Sequence, residues 1–240
     1  MHHLPLGWQP VPISEVDILY SIRVAPTSNR RAQRNYHILY FGGEVVGRAL
    51  EFSSLMDAFA QHAELVTAFH ARDCLFVHAG VVGWRGQALL IPGRSMTGKT
   101  TLVKALVESG ATYYSDEFAI LDKEGLVHPY PRPLSIRDSK GIPDKTPVEL
   151  LGGEAGSEPL PPGLVVVTEY QSGAAWNPRR LTPGQALLAL MDNTVAARRN
   201  PAYTMPVLKQ VVTRATALTS KRGKAEEFAP LLLAQLEKSL

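Results

Sequence analysis

Residues 87–101 read Q-A-L-L-I-P-G-R-S-M-T-G-K-T-T, an apolar run that passes into a glycine-bounded loop and then into the helix-forming L-V-K-A-L-V-E of 102–108. From Gly93 to Thr100 the pattern is G-x-x-x-x-G-K-[ST], the phosphate-binding loop of nucleotide-binding proteins. Gly93 and Gly98 leave out the Cβ atoms that would obstruct close approach, so the amides between them, at Arg94, Ser95, Met96 and Thr97, can face phosphate oxygens. Lys99 supplies a cation for the β- and γ-phosphates, and the Thr100 hydroxyl is offered to Mg2+. The helix that opens through Thr100 and Thr101 adds its N-terminal partial charge. The expected ligand is ATP or GTP with Mg2+, since no base-reading motif separates the two. The competing reading, a chance Gly-rich turn, has against it the strand before the loop and the helix after it.

The flanks supply that context. Residues 75–83 (L-F-V-H-A-G-V-V-G) and 87–91 predict two antiparallel strands joined through Trp84-Arg85-Gly86. Residues 99–109 predict a helix with Leu102, Val103, Leu106 and Val107 on its apolar face and Gly110 as its stop. The chain then returns as the strand-like A-T-Y-Y-S (111–115), the acidic pair Asp116-Glu117, F-A-I-L-D (118–122) and L-V-H-P-Y (126–130). The acids stand 16 and 17 residues beyond Thr100. Neighbours on an extended strand point to opposite faces, so only a bend brings both to one site. Phosphoryl transfer needs a metal ligand and a group that orients or deprotonates the acceptor. Asp116 is therefore expected as the base and Glu117 on or near the metal; two plain acids at a strand end are the other reading.

Outward from this core, 17–24 and 36–48 predict strands, the second broken by Gly42-Gly43 as a hairpin would be. A helix is predicted from Ser53 to about Arg72. Residues 141–163 carry Pro143, Pro147, Pro159, Pro161 and Pro162 and predict a long surface loop or flap. A strand follows at 164–169, and Thr182-Pro183-Gly184-Gln185 is a capping box opening a helix expected to reach Ala196. A helix near 204–213, a strand near 215–219 and a helix over 224–238 complete an α/β chain.

With 240 residues, 45% of them apolar and 20% charged, the composition is that of a globular protein large enough for a substantial core. No apolar run approaches membrane-spanning length, and M-H-H-L-P-L-G-W lacks the basic-then-apolar order of a signal peptide, so a cytoplasmic protein without a membrane partner is expected. The single Cys74, in D-C-L-F, is expected to be buried. The net charge of +3 is too small to imply nucleic acid. From Gly163 onward ten basic residues face five acidic ones, which reads as a solvated helical face or an anion-binding surface.

The stretch F-V-H-A-G-V-V-G-W-R-G-Q-A-L-L-I-P-G-R-S-M-T-G-K-T-T-L-V-K-A-L-V-E-S-G-A-T-Y-Y-S-D-E, continuing into H-P-Y-P-R-P-L-S-I-R, resembles the catalytic domain of the HPr serine kinase family. The likeness is close over residues 75–140 and extends in outline to the rest. It implies a phosphoenolpyruvate-carboxykinase-like P-loop kinase core with a mixed sheet over 75–240, preceded by a small β-rich subdomain at 1–74. Matched position by position, it implies roles for His78 in the first strand, the Asp116-Glu117 pair and Arg137. The acid would act as base towards a Ser hydroxyl, and the His would assist it or shield charge. On its residues alone His78 also reads as a core histidine in an apolar strand.

The pattern departs from the family at Ser135-Ile136-Arg137-Asp138, where bifunctional kinase/phosphorylases carry Glu at the first position and Gly after the Arg. Their longer N-terminal domain is also replaced here by about 70 unrelated residues. The likeness to shorter relatives that act on precursor peptides therefore implies a Ser-containing peptide or small hydroxylated acceptor rather than HPr, and the family implies a homo-oligomer. Arg132, in H-P-Y-P-R-P-L, is a candidate for binding phosphate or an acceptor carboxylate, and Arg180, in the Arg179-Arg180 pair, a weaker one; ordinary surface arginines are the other reading. The expectation is an ATP-dependent kinase. Its rival is a regulatory nucleotide-binding module or slow NTPase with no phosphoacceptor.

Overall fold

Three strands of β-branched and aromatic residues organise the N-terminal part of the chain. β1 (Tyr20–Arg23), β2 (His37–Phe41) and β3 (Glu44–Ala49) form an antiparallel sheet in that order, with Gly42 and Gly43 closing the β2–β3 hairpin. The helix α1 (Phe52–His70) covers it, burying Leu55, Ala60 and Ala63 with Ile38 and Leu39 of β2. The Tyr20 ring meets Phe41 and Phe59, each at 5.0 Å, and its hydroxyl is 2.7 Å from Nδ1 of His62. The computed structural model describes residues 3–26, 35–94, 97–137 and 143–238, with only the backbone described for Arg137 and Pro143. It divides the chain into two compact units, 1–70 and 71–240, four residues before the expected junction.

The second unit is built on a mixed eight-stranded sheet. Its members are β4 (Leu75–Trp84), β5 (Gln87–Pro92), β6 (Thr112–Ser115), β7 (Phe118–Leu121), β8 (Val127–His128), β11 (Pro162–Tyr170), β12 (Arg179–Arg180) and β13 (Thr216–Arg222). β5, β11 and β13 run parallel; β4 is antiparallel to β5 and also carries β6 and β7.

These central strands are nearly continuous apolar runs because both faces are covered. Alternate residues go to opposite sides. Val82, Leu89, Ile91, Leu164, Val166 and Leu218 meet α2 (Lys99–Glu108) and α5 (Ala225–Glu237). Val81, Leu90, Val165 and Ala217 meet α3 (Pro183–Met191) and α4 (Pro201–Arg214). The result is the α/β architecture with a mixed sheet that the sequence predicts. Among the described residues, no helix is long and apolar enough to cross a membrane.

Two expectations are corrected. The helix opened by Thr182 has its capping box, but it ends at Met191 rather than Ala196. The chain turns there to join the edge of β4: His78 N–H donates to the Asn193 carbonyl at 2.7 Å, and Val195 N–H to that of Phe76 at 3.0 Å. Two ladder hydrogen bonds and a bridge between Val77 and Thr194 outweigh another turn of helix.

The proline-rich stretch is also not a free flap. Gly141 and Ile142 lie outside the described residues, but β10 (Pro143–Thr146) pairs with β9 (Leu134–Arg137), and a 3-10 turn (Val148–Leu151) buries Val148. Further on, Tyr113 N–H donates to the Glu154 carbonyl and Gly156 N–H to that of Tyr113, both at 2.8 Å, while Val127 and Leu160 exchange bonds of 2.8 and 3.0 Å. Proline lacks a donor but keeps its neighbours' donors and every carbonyl free to pair. Here those neighbours lace the segment to the sheet.

Candidate functional site

Parallel strands with helical crossovers leave their C-terminal ends open as a crevice, and the phosphate loop stands at that edge, immediately after β5. Gly98 adopts φ 79°, a left-handed conformation that favours glycine, and α2 begins at the next residue. Lys99 is 8% exposed, and its Nζ donates to the carbonyls of Gly93 at 2.8 Å and Arg94 at 2.9 Å. Thr97 Oγ1 also donates to the Arg94 carbonyl at 2.9 Å. Burial lowers the pKa of Lys99, and the negative charges of Glu117 and Asp116 act in the opposite sense. The loop cation and the acidic pair therefore share one electrostatic site. Ser95 and Met96 lie outside the described residues. Thr101 is exposed on the first turn of α2, and it is Thr100 that reaches the acids.

The bend needed at the acidic pair is present. β6 and β7 both pair with β4, Ser115 opposite Val81 and Phe118 opposite His78, and between them the Ala79 N–H still donates to the Glu117 carbonyl at 3.1 Å. Ser115 Oγ holds the bend by accepting the N–H groups of Glu117 at 3.1 Å and Phe118 at 3.0 Å. Asp116 turns inward to 6% exposure. Its Oδ2 accepts from Thr100 Oγ1 at 2.9 Å and from the Ser135 N–H at 3.4 Å, and its Oδ1 lies 3.0 Å from the Tyr113 hydroxyl. That hydroxyl donates to the Arg132 carbonyl at 2.7 Å. Burial raises the pKa of Asp116, the three hydrogen bonds pull it down, and the charge of Glu117 raises it further. The Tyr113 phenol is pushed strongly upward, first by burial and then by the adjacent Asp116.

Glu117 is half-exposed, with Oε1 3.5 Å from His78 Nδ1. That separation falls outside good hydrogen-bond geometry; the Nδ1 atom is buried without a hydrogen bond among the described residues. The His78 ring packs against Phe118 at 4.5 Å, and its carbonyl accepts the Gly93 N–H at 3.1 Å, which ties β4 to the start of the loop. Sequence reasoning puts Asp116 at the acceptor and Glu117 near the metal. In the structure Thr100 stands on Asp116, and His78 lies beside Glu117.

The arginines divide. The backbone of Arg132 belongs to the site through Tyr113, and burial lowers the pKa of its guanidinium. Arg137 closes β9, whose Ser135 touches Asp116; its side chain and Asp138 lie outside the described residues. Arg179 and Arg180 are exposed on β12, at the sheet edge beyond β13.

One buried residue at the loop escapes sequence reasoning. Arg222, counted in the basic surplus read as a solvated helical face or an anion-binding surface, is 3% exposed, and its Nη2 donates to the carbonyls of Thr97 at 3.2 Å and Gly98 at 3.0 Å. The signal that could have found it is the K-R-G run directly after an apolar parallel strand, where a side chain faces the crevice; the predicted strand stops at 219, whereas β13 continues to Arg222.

No protein-family model matches the chain, and no curated protein matches it in sequence.

Proposed function

We propose that this chain is an ATP-dependent phosphotransferase that passes the γ-phosphate to a hydroxyl, with Ser of a peptide or a small hydroxylated molecule as acceptor. The observation that supports it most is the meeting of Lys99, Thr100 and Asp116 at the end of β5, since a phosphate loop, a hydroxyl and a carboxylate from the returning strand are what Mg-nucleotide binding needs. The resemblance to the HPr serine kinase family and its phosphoenolpyruvate-carboxykinase-like core supports the same reading.

The donor set suits Mg2+. The Thr100 hydroxyl gives its proton to Asp116 and keeps its lone pairs for a cation, and oxygen ligands from one or two side chains plus phosphate are the usual complement for this ion. Among the described residues there is no cluster of three or more His, Cys, Asp or Glu side chains that could hold a metal by itself. Thr100 and Asp116 would hold Mg2+, which when bound neutralises charge on the phosphates. The loop amides and Lys99 would hold the same phosphates from the protein side.

Asp116 is buried among Thr100, Ser135 and Tyr113, so the acid left more open to meet an acceptor is Glu117. We assign Glu117, beside His78, to receive the acceptor's proton, with His78 orienting the carboxylate. ATP carrying label at the γ-position, incubated with Ser-containing peptides, tests the proposal. Transfer of label to peptide supports a kinase. Binding of Mg-ATP without transfer to any acceptor would leave the regulatory nucleotide-binding module as the better reading.

A further inference from the structure

The phosphate-loop reading leaves one buried charge without a task. The guanidinium of Arg222 closes β13 at the C-terminal edge of the parallel strands. Nη2 binds the Thr97 and Gly98 carbonyls, Nη1 lies 3.4 Å from the Gly223 carbonyl, and Nε has no hydrogen-bond partner among the described residues. Its carbon Cζ sits 5.5 Å from the centre of the Tyr170 ring. Among the described residues no carboxylate comes within ion-pairing distance. Glu226 acts on the guanidinium only from beyond that distance; a buried cation without a paired counter-ion is costly, so the arrangement suits an anion that arrives from outside.

The contacts say where. In a planar trans peptide the C=O and the following N–H point in opposite directions. The Thr97 carbonyl shares its plane with the Gly98 N–H, and the Gly98 carbonyl with the Lys99 N–H. Together with the Leu102 N–H, which donates to the Gly98 carbonyl at 3.2 Å, Arg222 holds both carbonyls on one side of the loop and so keeps these two N–H groups on the other. A Cβ at Gly98 would collide with the guanidinium, so glycine here serves the close approach of Arg222 as well as the left-handed turn.

We propose that Arg222 is a positioning residue of the phosphate loop, fixing the Gly98 and Lys99 amides toward the bound polyphosphate and adding its charge to the site. This rests on the reading of Gly93 to Thr100 as a nucleoside-triphosphate site.

The test titrates the full chain, its Arg222→Met and its Arg222→Lys variants with Mg-ATP and with Mg2+ plus inorganic tripolyphosphate, alongside thermal melts without ligand. Arg222→Met is expected to lose at least about tenfold in affinity for both ligands while its ligand-free Tm stays level or rises, because a neutral side chain is cheaper to bury. Arg222→Lys keeps the charge but loses the planar fork that spans two carbonyls, so a smaller loss of at least about threefold is expected. Equal losses for ATP and tripolyphosphate place the effect on phosphate rather than on the base. Parent affinity in Arg222→Met overturns the proposal, as does a fall in Tm with affinity unchanged, which would make the residue purely structural. Should Arg222→Met not fold, parent affinity in Arg222→Lys overturns it and the threefold loss supports it. A parent protein that binds neither ligand fails earlier, at the phosphate-loop reading itself, and takes this inference with it.

Discussion

The Thr100 hydroxyl donates to Oδ2 of Asp116 at 2.9 Å, joining the first turn of α2 to the bend between β6 and β7. The bond directs the threonine proton at the carboxylate and leaves the hydroxyl lone pairs for a cation. Under the proposed function, Asp116 is the acid whose loss is expected to be felt first in Mg-dependent binding.

For Asp116→Asn we expect weaker binding of Mg-ATP and no loss of ligand-free stability at neutral pH. The pKa of Asp116 is raised above its ordinary value of 3.8 by burial, so the native state holds this proton longer than the unfolded chain does. The contribution of the protonated form to stability is therefore lost as pH rises through the folded pKa. Asparagine is neutral throughout and fits the same partners: its oxygen can accept from Thr100 and Ser135, and its amide can donate to the Tyr113 oxygen, whose own proton goes to the Arg132 carbonyl. Melts of both proteins between about pH 4 and pH 8 should show the variant gaining on the parent as pH rises. A variant that loses ground over that range would mean that the ionised carboxylate stabilises the fold.

Lys99→Ala is expected to weaken Mg-ATP binding about ten- to hundredfold, the equivalent of about 1.5–3 kcal/mol for a charged hydrogen bond. Lys99 already donates to the Gly93 and Arg94 carbonyls, so binding phosphate exchanges these contacts for stronger ones to an anion. Calorimetric titration measures it, and parent affinity in the variant would remove the loop from the nucleotide site.

Much of this site is legible because its signals are local. The loop motif, the capping box at Thr182 and the Gly42-Gly43 hairpin are short patterns whose chemistry acts within a few residues. The nearly continuous burial of β4, β5 and the first half of β11 follows from apolar runs too short for helices. What escapes are features set by distant partners. Asn193 and Val195 leave α3 because an edge of β4 needs hydrogen bonds, and nothing near 192–196 in sequence announces that edge. The proline-rich segment is anchored by Tyr113 and Val127, far from it along the chain. Arg222 reads as surface because its partners, Thr97 and Gly98, lie more than a hundred residues away.

Gly80 offers a test of how the loop helix is seated. A Cβ there would lie 2.6 Å from Cγ2 of Val103 and 3.7 Å from Cβ of Lys99, so α2 rests on β4 at a distance that only glycine permits. Gly80→Ala is expected to destabilise the protein by about 1–3 kcal/mol, the usual cost of overpacking. Combining it with Val103→Ala opens the space that the methyl needs. The pair is therefore expected to cost less than the sum of the single changes in denaturant unfolding. Simple additivity would mean that the clash is relieved elsewhere.

The pairing of Glu117 with His78 carries the remaining prediction, which separates a transferring enzyme from a nucleotide sensor. Glu117 is half-exposed beside His78 and takes no part in the hydrogen bonds that enclose Asp116. Glu117→Gln keeps the shape of the side chain but cannot accept a proton, so Mg-ATP affinity is expected to change little. General-base catalysis typically contributes about 10²–10⁴-fold, or roughly 3–5 kcal/mol of barrier, and single-turnover transfer to a Ser acceptor is expected to slow by that order. His78→Gln removes the neighbour that orients the carboxylate and is expected to slow transfer by less, again with affinity retained. Transfer rate and Mg-ATP affinity measured together on Glu117→Gln and Asp116→Asn decide the assignment. Slow transfer with intact binding in Glu117→Gln, beside weakened binding in Asp116→Asn, fits the contacts. The reverse pattern would return the base to Asp116, and loss of binding in both would make the pair a joint metal site.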